Sequence, residues 1–117
     1  MTNNENIMEI LDGITTPAGE AIPVSFLVYK GDKETYITFQ QVDKYPRLMA
    51  DDECEYSAPR YDFDIYTKGN FLSILEEVKN RLKNADWTWV EDSADMYEPD
   101  TQYFHKVTTF EIENYKL

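Results

Sequence analysis

The sequence predicts an α+β fold: a mainly antiparallel sheet of four to five strands, with one long helix packed on a face and a short N-terminal helix. Three observations predict it. From Arg60 to Lys68, Tyr61, Phe63 and Ile65 alternate with Arg60, Asp62, Asp64 and Tyr66, the period of a half-buried strand. From Phe71 to Leu82, Phe71, Leu75, Val78 and Leu82 recur at helical spacing opposite Glu76, Glu77, Lys79, Asn80 and Lys83. Much of the remaining apolar content sits in short runs of aromatic and β-branched residues bounded by turn formers. At 117 residues the chain reads as a single domain, residues 1–117, with one hydrophobic core.

The elements follow in the order α-β-β-(loop)-β-α-β-β. Asn3 or Asn4 is placed to cap a short helix carrying Ile7, Ile10 and Leu11, which Gly13 ends. Thr16-Pro17-Ala18-Gly19 breaks the chain, and Val24, Phe26 and Val28 then suggest a largely buried strand up to Tyr29. A turn at Gly31-Asp32-Lys33 and a second alternating run from Thr35 to Gln41, with Ile37 and Phe39 on one face, predict a hairpin. Residues 42 to 53 lose the alternation and carry Pro46, so they read as a long exposed loop. After the Arg60–Lys68 strand, Gly69-Asn70 opens the long helix, whose apolar stripe Leu72 and Ile74 reinforce. Trp87 to Val90 suits a short strand, Asp92 to Asp100 an acidic turn or loop, and Tyr103 to Ile112 a final strand returning through the sheet.

Composition narrows the function classes. Apolar residues make up 42% of the chain and aromatic residues 15%, nine of them tyrosine, so the sequence specifies a core despite its charge. A net charge of -12 and a pI near 4.3 disfavour binding to phosphate backbones or anionic membranes, which require the opposite sign. Cys54 is the only cysteine, which excludes an internal disulfide and a cysteine zinc site within one chain. Met1 to Asn6 lacks the basic start and apolar run of a signal peptide, and no segment has the apolar length of a membrane span, so a cytoplasmic site of synthesis is expected.

Candidate chemical sites have simpler structural readings. Asp62 and Asp64 share a strand face, with Cα atoms roughly 6.5–7 Å apart, and paired carboxylates do acid/base work when one is desolvated in a cleft. A solvated polar face explains the same alternation, and Arg60 beside them favours two ionised carboxylates. Asp51-Asp52-Glu53-Cys54-Glu55 and Glu91-Asp92-Ser93-Ala94-Asp95 lack the ligand pattern of a calcium loop and read as solvated loops, although salt would ease the packing of such acidic subunits. His105 is the only histidine. No Gly-x-Ser-x-Gly elbow or Gly-rich phosphate loop occurs. Neither metal nor cofactor is expected, and no enzymatic activity. Trp87 and Trp89, two apart, read as core residues against the long helix.

The ordered motifs Tyr36-Ile-Thr-Phe39, Ala50-Asp-Asp-Glu53, Tyr61-Asp-Phe-Asp-Ile-Tyr-Thr-Lys68 and Tyr97-Glu-Pro-Asp-Thr-Gln-Tyr-Phe-His-Lys106 resemble a known family. It is that of the tail-completion, or tail-terminator, proteins of long-tailed bacteriophages and of prophages of Gram-positive bacteria, and the resemblance spans roughly residues 23 to 113. It implies a structural virion protein at the neck, made in the host cytoplasm, whose homo-hexameric ring docks on the last ring of tail-tube protein. The ring would stop polymerisation and present a surface to the head connector or head-completion protein. DNA would pass through without being specifically bound; the net charge of -12, apart from the resemblance, would repel it from a lumen that the carboxylates face. The interface candidates are Asp51, Asp52 and Glu53, in the loop from Val42, together with Tyr97, His105 and Lys106. Competing readings are another neck or tail-assembly factor, such as a head-tail adaptor or tube chaperone, a DNA-mimicking inhibitor, and an enzyme built on Asp62 and Asp64.

Overall fold

A computed structural model describes residues 2–46 and 56–115. Its elements are helix α1 (Asn3–Ile10), strands β1 (Val24–Phe26), β2 (Tyr36–Pro46) and β3 (Tyr56–Thr67), helix α2 (Leu72–Asn84), and strands β4 (Thr88–Asp92), β5 (Met96–Glu98), β6 (Tyr103–Glu111) and β7 (Asn114–Tyr115). The strands form one sheet in the order β1-β2-β3-β6-β4, with β5 also paired to β6 and β7 to β3. All pairs are antiparallel except β1 with β2. The α+β class therefore holds, with more strands than the four to five expected.

Both helices cover one face of the sheet. Ile37 and Phe39 of β2, Tyr61, Phe63 and Ile65 of β3 and Phe110 of β6 meet Ile74, Leu75, Val78 and Leu82 of α2 and Ile7 and Leu11 from α1 and its C-cap. Phe63 lies at the centre, with ring centroids 6.3 Å from Phe39, 6.1 Å from Trp87 and 6.3 Å from Phe110. Each such side chain, taken out of water, contributes about 1.5–3 kcal/mol, and the period-2 and 3.6-residue patterns agree on which ones those are. Leu72, expected to reinforce the stripe, is instead exposed, because at helical spacing it shares the outer face of α2 with Glu76, Asn80 and Lys83.

The connection β3-α2-β4 brings two strands to either side of β6, both antiparallel to it, so β3 and β4 run parallel with β6 inserted between them. Arg81 ties the helices together: its Nη1 donates to the carbonyls of Ile10 (3.1 Å) and Asp12 (2.7 Å), supplying donors at the C-terminal end of α1. At the other end Thr2, rather than Asn3 or Asn4, is the N-cap. Its hydroxyl accepts from the Glu5 N–H at 3.1 Å, and the Glu5 carboxylate accepts from the Thr2 N–H at 2.8 Å.

Three expectations about strands need correction. β1 and β2 do not form a hairpin: Val24 pairs with Ile37 in parallel, and nine residues from Leu27 to Thr35 carry the chain back to the start of β2. A two-residue-type turn joins only antiparallel neighbours, and the spacing pattern of two strands does not encode their relative direction. Residues 42 to 46 belong to β2, where the register shifts between Gln41 and Asp43; this bulge breaks the alternation that would have marked a strand. Residues 47 to 53 of the expected loop lie outside the described residues. Finally, Met96–Glu98 is a strand within the stretch read as an acidic loop, its three residues exposed and paired through backbone to Tyr103–His105.

Candidate assembly surfaces

The sheet face opposite the helices carries the alternate residues Arg60, Asp62, Asp64 and Tyr66 of β3. Their neighbours on β6 complete a polar surface. Thr109 Oγ1 donates to Asp62 at 2.6 Å, and Asp64 Oδ2 lies 2.9 Å from His105 Nε2. The rings of Tyr29, Tyr36, Tyr66 and His105 stack successively across the sheet, with centroids 4.5, 4.8 and 4.2 Å apart and interplanar angles of 26°, 21° and 14°. Neighbouring rings on one sheet face gain by such offset stacking.

This face corrects the reading of Asp64 as a solvated carboxylate. Burial pushes its pKa above the ordinary value, and the hydrogen bond and charge of His105 only partly offset that. Arg60, expected to offset the charge of the aspartates, approaches Glu111 at 3.8 Å. A depression of about 380 Å³ between Arg60, Asp62, Glu91, Ser93, Val107 and Thr109 adjoins the pair, but Asp64 and His105 do not line it. The buried carboxyl and the depression are thus separate features.

On the helix side, Asp92 is a junction. Its carboxylate accepts from Thr108 Oγ1 (2.7 Å), Trp89 Nε1 (2.9 Å) and Lys79 Nζ (2.9 Å), joining β4, β6 and α2. Burial alone would raise its pKa, but these three donors and the Lys79 charge outweigh it and hold the carboxyl below the ordinary aspartate value. Trp87 is buried as expected; Trp89 is not, and lies beside α2 with Lys79 Nζ 4.9 Å from its ring centre.

The three expected interface residues that are described, Tyr97, His105 and Lys106, do not form one patch. His105 lies on the polar face. Lys106 points to the helix side, where its ammonium is buried and donates to the Ser93 carbonyl and, at 2.8 Å, to Asp95. That makes it a clamp on the β4–β5 connection rather than an exposed contact. Tyr97 is 51% exposed, on β5, its ring 4.8 Å from Phe104. Asp51, Asp52 and Glu53 lie outside the described residues. Among the described residues, no three His, Cys, Asp or Glu side chains come together as a cation site, and no helix is long and apolar enough to cross a membrane.

The residues that sequence reasoning missed are at the sheet's edges. Among the described residues β1 pairs only with β2, and Phe26, Leu27 and Val28, expected inside a buried strand, are 49%, 53% and 60% exposed. Leu27 has φ of 67°, a left-handed conformation that costs a side-chain-bearing residue about 1–2 kcal/mol. Its N–H donates to Phe39 at 2.9 Å, and the Val28 N–H closes a tight turn onto Phe26 at 2.7 Å. The opposite edge is formed by β4 and β5, each paired only with β6 among the described residues, and it exposes Trp89, Met96 and Tyr97. The run Val24-Ser-Phe-Leu-Val28 is equally apolar whether buried or at an edge, so its pattern held no signal of exposure.

No protein-family model matches the chain. No curated protein matches it either.

Proposed function

We propose that this chain is a structural subunit that assembles with copies of itself into a ring on the end of a phage tail tube, terminates tube polymerisation and offers the head-tail joining surface. The observation that carries the reading is a helix-backed sheet whose outer edges, β1 on one side and β4 with β5 on the other, have no further strand partner among the described residues and expose Phe26, Trp89, Met96 and Tyr97. Such edges are a liability in a protein that works alone and a joint in one that assembles. The resemblance of the motifs supports the same reading. Tyr36–Phe39, Tyr61–Lys68 and Tyr97–Lys106 fall on β2, β3 and the β5–β6 hairpin, so three of the four ordered motifs belong to one continuous run of paired strands. The polar face, with its cross-strand stack of rings, would give each subunit a stiff wall. With a net charge of -12, a ring of such subunits would repel DNA if its carboxylates face the lumen.

Mixing the purified chain with polymerising tail-tube protein tests this reading. Tubes capped at one end, with growth halted at stoichiometric ring concentrations, are the expected result. Tubes that elongate at an unchanged rate would refute it.

A further inference from the structure

We propose that the depression on the open face of the sheet, between Asp62 and Glu91, receives a lysine or arginine side chain of a partner protein. This holds whether or not the chain caps a tube. The site is a row across three strands. Asp62 of β3 and Glu91 of β4 both stand opposite Thr109 of β6, one from each side. Two strand spacings put their Cα atoms about 9.5–10 Å apart. The depression between them has a volume of about 380 Å³, and Thr109 and Val107 of the intervening strand line its middle.

Two irregularities in separate strands shape this depression. β4 carries an extra residue, Val90, between Trp89 opposite Phe110 and Glu91 opposite Thr109. Without the extra residue, Val90 itself would stand opposite Thr109, with an isopropyl group in place of the carboxylate. The extra residue of β2, Val42, lines the same depression from beyond β3. Bulges re-aim side chains in this way beside functional sites. Among the described residues, both register shifts within strand pairs border this one depression.

The lining chemistry selects the occupant. Thr109 Oγ1 donates to Asp62 Oδ1 at 2.6 Å. Among the described residues, neither the other oxygen of Asp62 nor the exposed Glu91 carboxylate has a hydrogen-bond or ion-pair partner. Arg60 also lines the depression, but Glu111 lies 3.8 Å from it and matches its charge. The surplus at the site is therefore negative, which favours a cation. Val42 and Val107 add apolar surface beside the two carboxylates. A lysine or arginine fits both features, laying its hydrocarbon stem along apolar groups while its charged head stays among polar ones. An inorganic cation would leave the valine methyls uncovered, and among the described residues no three His, Cys, Asp or Glu side chains converge to ligate one.

NMR titration of the isotope-labelled full chain tests the proposal. One probe is a lysine flanked by two glycines and blocked at both ends; the other replaces lysine with norleucine, which keeps the stem and lacks the charge. The lysine peptide should give saturable shifts centred on the amides of Asp62, Glu91, Val107 and Thr109, and the norleucine peptide none. Glu91→Gln and Asp62→Asn should each weaken binding about three- to fivefold, as for a solvent-accessible ion pair. Both should unfold at the parent's temperature, because Glu91 is exposed and asparagine keeps an oxygen for Thr109. Glu98→Gln, on β5 and outside the depression, should leave binding unchanged. Equal shifts with the norleucine peptide would overturn the proposal by showing that apolar contact alone suffices. An equal loss in Glu98→Gln would overturn it in favour of diffuse attraction to an acidic surface. Shifts at Asp62 and Glu91 with n-butylammonium but not with the lysine peptide would assign the pocket to a free amine, and no saturable shift with either would leave it without a cationic occupant; both results overturn it.

Discussion

Replacing Asp92 with alanine should loosen the β4 edge by a calculable amount. The carboxylate accepts from a Thr108 hydroxyl that is fully buried, and truncation leaves that donor without its acceptor at about 1–3 kcal/mol. The Lys79–Asp92 pair, with side chains 21% and 23% exposed, adds about 0.5 kcal/mol after solvent screening. Trp89 Nε1 is on an exposed residue, where water replaces the lost acceptor, so it adds little. The expected loss is about 1.5–3.5 kcal/mol in denaturant unfolding, with an unchanged slope if two-state behaviour persists. Thr108→Val removes the stranded donor, so the double-mutant cycle should return a coupling of about 1–2 kcal/mol. The effect also has a pH signature. Because the folded pKa of Asp92 lies below its ordinary 3.8, its contribution is present above 3.8 and is lost as pH falls through the folded value. The gap between parent and Asp92→Ala should narrow over that window. A loss below about 1 kcal/mol with no coupling to Thr108 would refute the role of Asp92 as the junction of β4, β6 and α2.

Other consequences are as direct. Phe63→Ala removes the ring around which Phe39, Trp87 and Phe110 pack and should cost about 3–5 kcal/mol by denaturant unfolding; a cost under about 1.5 kcal/mol would show that the core is organised elsewhere. Thr2→Ala, which deletes one half of the capping box, should lose about 1 kcal/mol and reduce amide protection in the first turn of α1, where Glu5 N–H is the group to watch. The carboxyl of Asp64 should titrate above 3.8 by NMR, and His105→Leu should raise it further by removing its hydrogen-bond partner. Since its folded pKa is raised, Asp64 contributes most to stability below 3.8, and that contribution declines as pH rises through the folded value. An Asp64 midpoint that falls in His105→Leu would contradict the pairing.

The fold was legible where one period dominated a long segment. Tyr61, Phe63 and Ile65 face the helices and Asp62 and Asp64 face away, as their alternation required, and Leu75, Val78 and Leu82 supply the buried stripe of α2. Legibility failed where local pattern is silent about pairing. The parallel direction of β1 and the bulge near Val42 depend on backbone partners distant in sequence, whereas β5, exposed and acidic, pairs locally with Tyr103–His105 in a hairpin that its composition does not mark. The polar face was legible as a surface but not as an environment: Asp64 is desolvated by strands on either side, and its partner His105 lies 41 residues away. The edge residues were the hardest to place. Phe26, Leu27 and Val28 have the composition of a buried strand, but Phe26 ends β1 at the edge of the sheet and Leu27 and Val28 follow it in a tight turn. Lys106 shows the opposite error, a charged residue expected outside that is buried because Asp95 and the Ser93 carbonyl receive its ammonium.

Electron microscopy of particles from a phage lacking this chain measures the central claim most directly, through tail length. A ring that terminates the tube requires that its loss leave overlong tails and unjoined heads. Tails of normal length beside unattached heads would contradict termination and point to a head-side adaptor.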